Sequence, residues 1–429
     1  MIPRIFSSAI VVGVASINLF TTGLNAESFA VTGATIHTAA GETITNGIVL
    51  VRDGKFTAVG PDVSVGDVET IDLSGMHLFP GLINAASVLG LDEISAVRAT
   101  IDSREVGTYT PEVAAWVSVN PDSELIPVAR ANGVAYAHLI PGNGVVAGQS
   151  AVIQTTGWTI EDMAVKRRGG LVVYWPGMGL NTNPDTKKSL KDQDKERREK
   201  LRELNEFFAQ AAAYARVKRA DGSSLKLVPA WEAMIPFLEG EQPVFVYASD
   251  LRQIKAIIEW KNERKLNVVL VGGRDAWKVA NELATAGMPV VFDSTYSIFN
   301  QSERAYDESY ASPQVLNDAG VKVAFAVTGW RDDASQDRNL PYEAAQAMGY
   351  GLDPDAALKM ITVNAADILG LGDQLGSIEK GKIATFIAVD GDILDIRSNV
   401  KRMWIGGEEV SLESRHTRLN EKYKNRPRN

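Results

Sequence analysis

Cysteine is absent from the 429 residues. With it go disulfides, thiolate zinc sites, cysteine nucleophiles and lipid attachment at a lipobox cysteine. Histidine is nearly absent as well: His37, His77, His138 and His416 are the whole set. A metal centre needs several donors converging at fixed distances, so four scattered histidines limit the chemistry more than any other feature of the composition. Basic residues are outnumbered, 44 Lys and Arg against 53 Asp and Glu, for a formal net charge of −9. An acidic surface repels phosphate backbones, which argues against nucleic acid as a partner. No nucleotide-binding glycine fingerprint is visible, Gly272-Gly273 being too short. With 45% apolar and 23% charged residues the chain is neither collagenous nor disordered, but globular.

Long apolar runs are confined to the start. Met1–Ala26 carries one basic residue, Arg4, and no acidic one; an apolar run from Ile5 to Phe20 follows, and a small residue, Ala26, precedes Glu27. This order of charged, apolar and small-residue regions predicts a secretory signal peptide over residues 1–26. The run is short for a membrane-spanning helix, and no later stretch approaches roughly 18 uninterrupted apolar residues. The expectation is a periplasmic or secreted protein with no membrane association once the signal is removed.

Residues 27–78 read as short strands and turns: Phe29-Ala30-Val31, Gly33–His37, Gly47–Val51, the turn Asp53-Gly54-Lys55 and Phe56–Gly60. An Asp-Gly between β-rich runs is a strong hairpin signal. From about residue 79 to 372, strand-like runs alternate with helical ones. Gly133–Ile140 ends in Pro141-Gly142-Asn143-Gly144; Leu171–Trp175, Pro243–Ala248, Asn267–Val271, Met288–Asp293 and Val321–Val327 follow. Such alternation predicts an α/β fold on a parallel sheet, open or closed into a barrel. Asp185–Arg219 is a charged helical stretch with Glu196–Lys200 at i,i+4 spacing and an apolar stripe of Leu201, Leu204, Phe208, Ala211, Ala212 and Ala215, which predicts a barrel helix with an exposed extension. Residues 373–412 return to hairpin character around Asp390-Gly391-Asp392 and Gly406-Gly407. Each β segment alone would leave an apolar face wet, so the two are expected to pair into one small sandwich. Residues 413–429 form a polar tail.

Met76-His77-Leu78-Phe79-Pro80-Gly81-Leu82-Ile83-Asn84 resembles the start of the barrel in the amidohydrolase superfamily. Further along, Arg338-Asn339-Leu340-Pro341-Tyr342-Glu343-Ala344-Ala345 resembles that family's helix after barrel strand eight. Ile361–Gly370, Gly376-Ser377-Ile378-Glu379-Lys380-Gly381-Lys382 and Asp390-Gly391-Asp392 read like its imidazolonepropionase-like branch. The resemblance spans about residues 30–410 and implies a TIM-type (β/α)8 barrel with a small composite β-sandwich built from both terminal segments. It also implies hydrolysis of non-peptide C–N bonds by a metal-bound water, whose proton an aspartate at the end of strand eight accepts.

The family's ligands are a His-x-His pair, a carboxylated lysine, two more histidines and that aspartate, and this chain lacks them. Asn84 stands at the family aspartate after Pro-Gly-hydrophobic-hydrophobic, and the His-x-His places fall on Ala86 and Val88. Tyr247 stands where a strand histidine belongs, Val271 or Gly272 where the next should be, and the strand-eight aspartate falls near Thr328. Gln154 occupies a place where some relatives carry lysine. His138, within an apolar strand, is expected to be a hydrogen-bonded core residue. Asp293, Asp332 and Asp333 are acids of loops and expected to be solvated, an all-oxygen metal site built from them being the alternative. No cofactor is therefore predicted, although the family usually binds zinc or another divalent metal. Asn84, Tyr247, Arg274, Thr328 and Arg338 each end or follow a predicted strand and are the candidate polar groups lining the barrel mouth. Two readings follow: an amidohydrolase-type hydrolase without the usual metal site, or a non-catalytic relative that binds a small molecule or a histidine-complete relative as partner subunit.

Overall fold

The computed structural model describes residues 28–183, 185–221, 225–293, 295–296, 305–327 and 334–427; the signal-peptide expectation over residues 1–26 lies outside them. Sixteen strands are described. They are β1 (Phe29–Ile36), β2 (Ile44–Arg52), β3 (Lys55–Gly60), β4 (Glu69–Asp72), β5 (His77–Pro80), β6 (Leu82–Ser87), β7 (Val134–Leu139), β8 (Val146–Gln154), β9 (Ala164–Tyr174), β10 (Val244–Ala248), β11 (Val268–Gly272), β12 (Val290–Phe292), β13 (Val323–Phe325), β14 (Phe386–Val389), β15 (Val400–Ile405) and β16 (Glu408–Glu409).

The two terminal β segments form one sheet, in the order β16-β15-β14-β5-β1-β2-β3 with β4 beside β1. Neither segment closes a core alone: β14, from the far end of the chain, pairs antiparallel with β5 from the near end. The sheet curls on itself. Phe56 on β3 and Phe386 on β14 are four strands apart in the order, yet their ring centroids are 5.8 Å apart. Phe386 stacks in turn on Trp404 at 4.6 Å, and backbone bonds join Phe56 N to Lys382 O (3.0 Å) and Gly381 N to Phe56 O (2.7 Å). The β2–β3 turn is the one its Asp-Gly pair predicts, with positive φ at Asp53 (49°) and Gly54 (71°). A Cβ on Gly54 would meet the carbonyl oxygen of Gly406 at 2.6 Å, so the turn is also pressed against the opposite segment.

The second sheet is a nearly closed eight-strand barrel in the order β13-β12-β11-β10-β9-β8-β7-β6. Its first strand begins at Leu82, because Phe79 and Pro80 belong to the small sheet. One strand departs from the uniform parallel barrel that the resemblance implies: β8 runs antiparallel to both β7 and β9. The reason is connection length. A parallel neighbour needs a crossover of about a dozen residues. Here Pro141-Gly142-Asn143-Gly144 turns the chain back at once, with φ of +70° at Asn143 and +74° at Gly144.

Among the described residues the barrel's two end strands, β6 and β13, share no backbone ladder. A side chain spans the gap: Asn84 Oδ1 accepts the backbone N–H of Val327 at 3.1 Å. Helices cover the outside. The helix Leu251–Arg264 starts at an Asp250 capping box, ends at Lys265 in the left-handed region, and buries Ile254, Ile257 and Trp260. The charged helix Leu190–Asp221 buries Leu204, Phe208, Ala211 and Ala215, while its first half carries exposed ion pairs such as Lys195–Glu199. The tail forms a short helix, Arg415–Lys424, held by Arg418–Glu124 at 2.9 Å. A cavity of about 310 Å³, lined in part by Asn267, Met288, Val321, Lys322 and Asp367, lies at the N-terminal strand ends, the face of such barrels that serves stability rather than chemistry.

Candidate functional site

At the C-terminal end of β6 the sequence Asn84-Ala85-Ala86-Ser87 puts two polar side chains into a fully buried strand. Both find one partner. Asp337, wholly buried and 253 residues from Asn84, takes Asn84 Nδ2 at 3.0 Å and Ser87 Oγ at 2.6 Å on its Oδ2. Ser87 Oγ also accepts the N–H of Leu89 at 2.9 Å. The cluster locks the first strand to the segment beyond the last. Asn84 is therefore a clamp of the barrel seam. Ser87 and Asp337 were not among the expected residues. No local signal marks Asp337, which sits within an unremarkable polar stretch.

The expected histidine positions hold apolar side chains packed away from solvent: Ala86 and Val271 are wholly buried and Val88 is 8% exposed. His138, also wholly buried, has both ring nitrogens engaged, Nδ1 with the carbonyl of Ala85 and Nε2 with Ser150 Oγ, each at 2.8 Å. Burial holds its pKa down at about 3, so it stays neutral. A Cβ on Gly169 would lie 3.2 Å from His138 Nε2 and 2.8 Å from Ser150 Oγ, so this cluster is sealed by backbone. Among the described residues no three His, Cys, Asp or Glu side chains come together as a metal site. The side chains present do not fit a catalytic divalent ion: alanine and valine offer no lone pair, and the one interior histidine has none to spare.

Tyr247 ends a row of paired residues. Tyr174, Tyr247, Val271, Val291 and Ala324 lie opposite one another across β9 to β13. Trp175 points outward onto Trp260 of the helix Leu251–Arg264 at 5.4 Å. By strand alternation Tyr174 and its row then face the barrel interior. Tyr174 and Tyr247 stack face to face at 4.7 Å and 15°, both half-buried, so each ring covers one face of the other at the strand ends.

Arg274, 35% exposed in its side chain, is directed at Asp275 with Nε to Oδ1 at 3.9 Å. Asp275 is itself pinned beneath by the N–H of Leu251 at 3.2 Å. Thr328 lies outside the described residues, as do Asp332 and Asp333. Arg338 does not line the mouth. It is exposed, with Nη1 3.3 Å from His416 Nδ1 of the tail helix, while its carbonyl accepts the side-chain N–H of Asn132. The 3-10 helix Ala334–Asn339 explains this: at three residues per turn, placing Asp337 inward turns its neighbour outward.

Two strands along from Tyr247 lies a second group of acids. Asp293 follows β12 two residues beyond Val291, and Glu343 sits in the first turn of the helix Leu340–Met348. Glu343 is 6% exposed, and its Oε2 has no hydrogen-bond partner among the described residues. Burial, reinforced by the charge of Asp293, raises its pKa to about 8; the Thr295 hydroxyl beside it pulls the other way. It therefore carries a proton at neutral pH. Tyr296, next to them, is half exposed and donates its hydroxyl to the carbonyl of Tyr342 at 3.0 Å. Glu343 was visible only as part of the Leu340-Pro341-Tyr342-Glu343 motif, with nothing local to set it apart as a buried acid.

Residues 249–410 match the model of the amidohydrolase family. An amidohydrolase of solved structure from Thermotoga maritima superimposes with a TM-score of 0.80 at 28% identity, covering 89% of this chain and 99% of that one. The curated amidohydrolase tasK of Hapsidospora irregularis is 22% identical over 414 residues, 87% of this chain. The aligned part spans 41% of that relative's own length. The imidazolonepropionase of Thermoplasma volcanium is 37% identical over 89 residues, 20% of this chain and 22% of that protein.

Proposed function

We infer that this chain, which belongs to the amidohydrolase superfamily, is a secreted member that binds a small molecule in its barrel mouth without hydrolysing it at a metal centre. One observation carries the reading: the side chains where ligands belong at the strand ends are donorless and buried, Ala86, Val88 and Val271, and Tyr247 is stacked on Tyr174. Losing even a group that hydrogen-bonds a metal ligand normally lowers affinity or activity by about 10–100-fold, and here several ligand positions themselves are changed together. What the mouth keeps is a stacked tyrosine pair and a protonated carboxyl, groups suited to gripping a ligand. The run Met1–Ala26 supports export, and its cleavage would leave Glu27 as the first residue.

The test is metal analysis of the purified mature protein, with amide and cyclic-imide hydrolysis assayed before and after added zinc or manganese. The expected result is a folded protein with no stoichiometric metal and no turnover. Stoichiometric zinc, iron or manganese, with hydrolysis that a chelator abolishes, would overturn the reading. Co-purification of a histidine-complete relative would move the binding role to the assembly.

A further inference from the structure

Two of the four histidines come together in the small sheet. His37 follows β1 directly, and His77 opens β5, the parallel neighbour that pairs Thr35 with His77 and Ile36 with Leu78. The N–H of His37 donates to the carbonyl of Leu78 at 2.8 Å, which fixes the two residues side by side. Their rings meet edge to edge, with His37 Nε2 2.9 Å from His77 Nδ1 and the planes 18° apart. Phe79 stacks on His37 at 4.4 Å and 5° and supports it from one face. Both histidines are half-buried, so solvent reaches the pair. Two imidazoles in such contact need one ring to donate and the other to accept, so one proton sits between the facing nitrogens. Burial, and then the neighbouring His77, holds the pKa of His37 below its ordinary value. A neutral imidazole is the form that ligates a metal. The charges of Asp392, in the turn between β14 and β15, and of Asp355, in the first turn of the helix Pro354–Met360, act the other way on His37 and favour a cation beside it. Imidazole nitrogens bound at about 2.0–2.1 Å and at a right angle stand about 2.9 Å apart, which is the separation of this pair.

We propose that His37 and His77 form an exchangeable transition-metal site on the small β domain, holding Cu2+ ahead of Ni2+ or Zn2+ as neighbouring corners of a square-planar set. The ion takes the place of the proton between the rings. That proton moves to the outer nitrogen of the ring that carried it, which for His37 is Nδ1, 3.4 Å from Thr43 Oγ1. Each ring tilts to aim its lone pair at the ion. Among the described residues no third His, Asp or Glu joins the pair, so water completes the coordination. With two protein donors the ion leaves during purification and returns when supplied. The site stands apart from the barrel mouth and does not depend on what the mouth binds.

The test is titration of the purified protein, without an added histidine tag, with Cu2+, read by calorimetry and electron paramagnetic resonance, and with Ni2+, Zn2+ and Mg2+ for comparison. One Cu2+ per chain is expected, its spectrum split by two imidazole nitrogens, with Ni2+ and Zn2+ weaker and Mg2+, which prefers oxygen donors, not bound. His37→Gln and His77→Gln are each expected to weaken Cu2+ about tenfold or more, and His416→Gln, on the tail helix, to leave it unchanged. Circular dichroism shows whether each variant is folded; should neither be, the nitrogen count of the unaltered protein decides. The proposal is overturned if no Cu2+ binds, if its spectrum shows one nitrogen or none, if both folded variants bind as before, or if the His416 variant loses the ion. Metal that His77→Gln no longer holds belongs to this pair. Metal that this variant keeps, with hydrolysis that a chelator abolishes, would overturn the non-hydrolytic reading of the mouth instead.

Discussion

Two buried carboxyl groups stand in the helical segments that follow the last barrel strand, six residues apart, and the fold treats them in opposite ways. Asp337 receives hydrogen bonds from Asn84 and Ser87 and closes the seam between β6 and the chain beyond β13. Glu343 has the Thr295 hydroxyl beside it and is held protonated by its surroundings. Burial is near complete in both, so burial alone does not separate the two acids. The donors do: two side chains converge on one oxygen of Asp337, whereas a single hydroxyl stands beside Glu343. A carboxyl with donors in place contributes to stability; one with fewer lowers it.

The comparison breaks most sharply on the sign of two isosteric changes. Asp337→Asn puts an amide where Asn84 and Ser87 both donate to a carboxyl oxygen. It is expected to lower stability by about 1–3 kcal/mol, the usual range for leaving a buried polar group unsatisfied. Glu343→Gln should act the other way. Its ordinary pKa, kept in the unfolded chain, is 4.5 and its folded pKa is about 8, so at pH 7 folding has to take up a proton that the unfolded chain has lost. Each unit of that gap corresponds to about 1.4 kcal/mol, and the variant is expected to be more stable at pH 7 by on the order of 3 kcal/mol. Urea denaturation of both variants at pH 7 checks the pair. Loss of stability in both would mean that Glu343 is a structural acid like Asp337.

Much of this architecture was legible before any coordinates. The Asp-Gly hairpin, the strand–helix alternation and the family-like segments at both ends lead to a split β domain around a barrel, because each is a local pattern. The polar group at Asn84 was also legible, standing in an apolar run where a relative has aspartate. Its partner was not, since a contact across 253 residues leaves no spacing to read. The reversal of β8 was within reach: Pro141-Gly142-Asn143-Gly144 is too short for a crossover, but the alternation on either side overrode that sign. Arg338 was misplaced for want of the 3-10 phase, which one residue of offset inverts.

A smaller effect sharpens the contrast through pH. His138 is a satisfied polar group of the opposite charge type, with both nitrogens bonded and its folded pKa depressed from 6.5 to about 3. The unfolded chain binds its proton below pH 6.5 and the folded one does not, so its contribution is lost as pH falls from 6.5 towards 3. Glu343 has a raised folded pKa, so its contribution is present in acid and lost as pH rises from 4.5 through 8. Between pH 4.5 and 6.5 the two slopes oppose each other, each at most about 1.4 kcal/mol per unit. His138→Leu removes one of them. Apart from an overall loss of about 2–3 kcal/mol from the orphaned Ser150 hydroxyl and the lost hydrogen bonds, its stability should fall more steeply between pH 4.5 and 6.5 than that of the unaltered protein. Thermal melts across that window read the change in slope, and an unchanged slope would mean that His138 titrates normally in the folded state.

The smallest expected effect belongs to the neighbour of Asp337. Arg338 is exposed and its guanidinium meets only His416 of the tail helix among the described contacts of that side chain, at 3.3 Å. A long contact between solvated groups contributes little, because water screens it and two side chains lose freedom to make it. Arg338→Ala is expected to change stability by less than about 0.5 kcal/mol, read by urea denaturation at pH 7. A loss several times larger would mean that the guanidinium holds the tail helix against the barrel, a role that the exposure of the contact opposes.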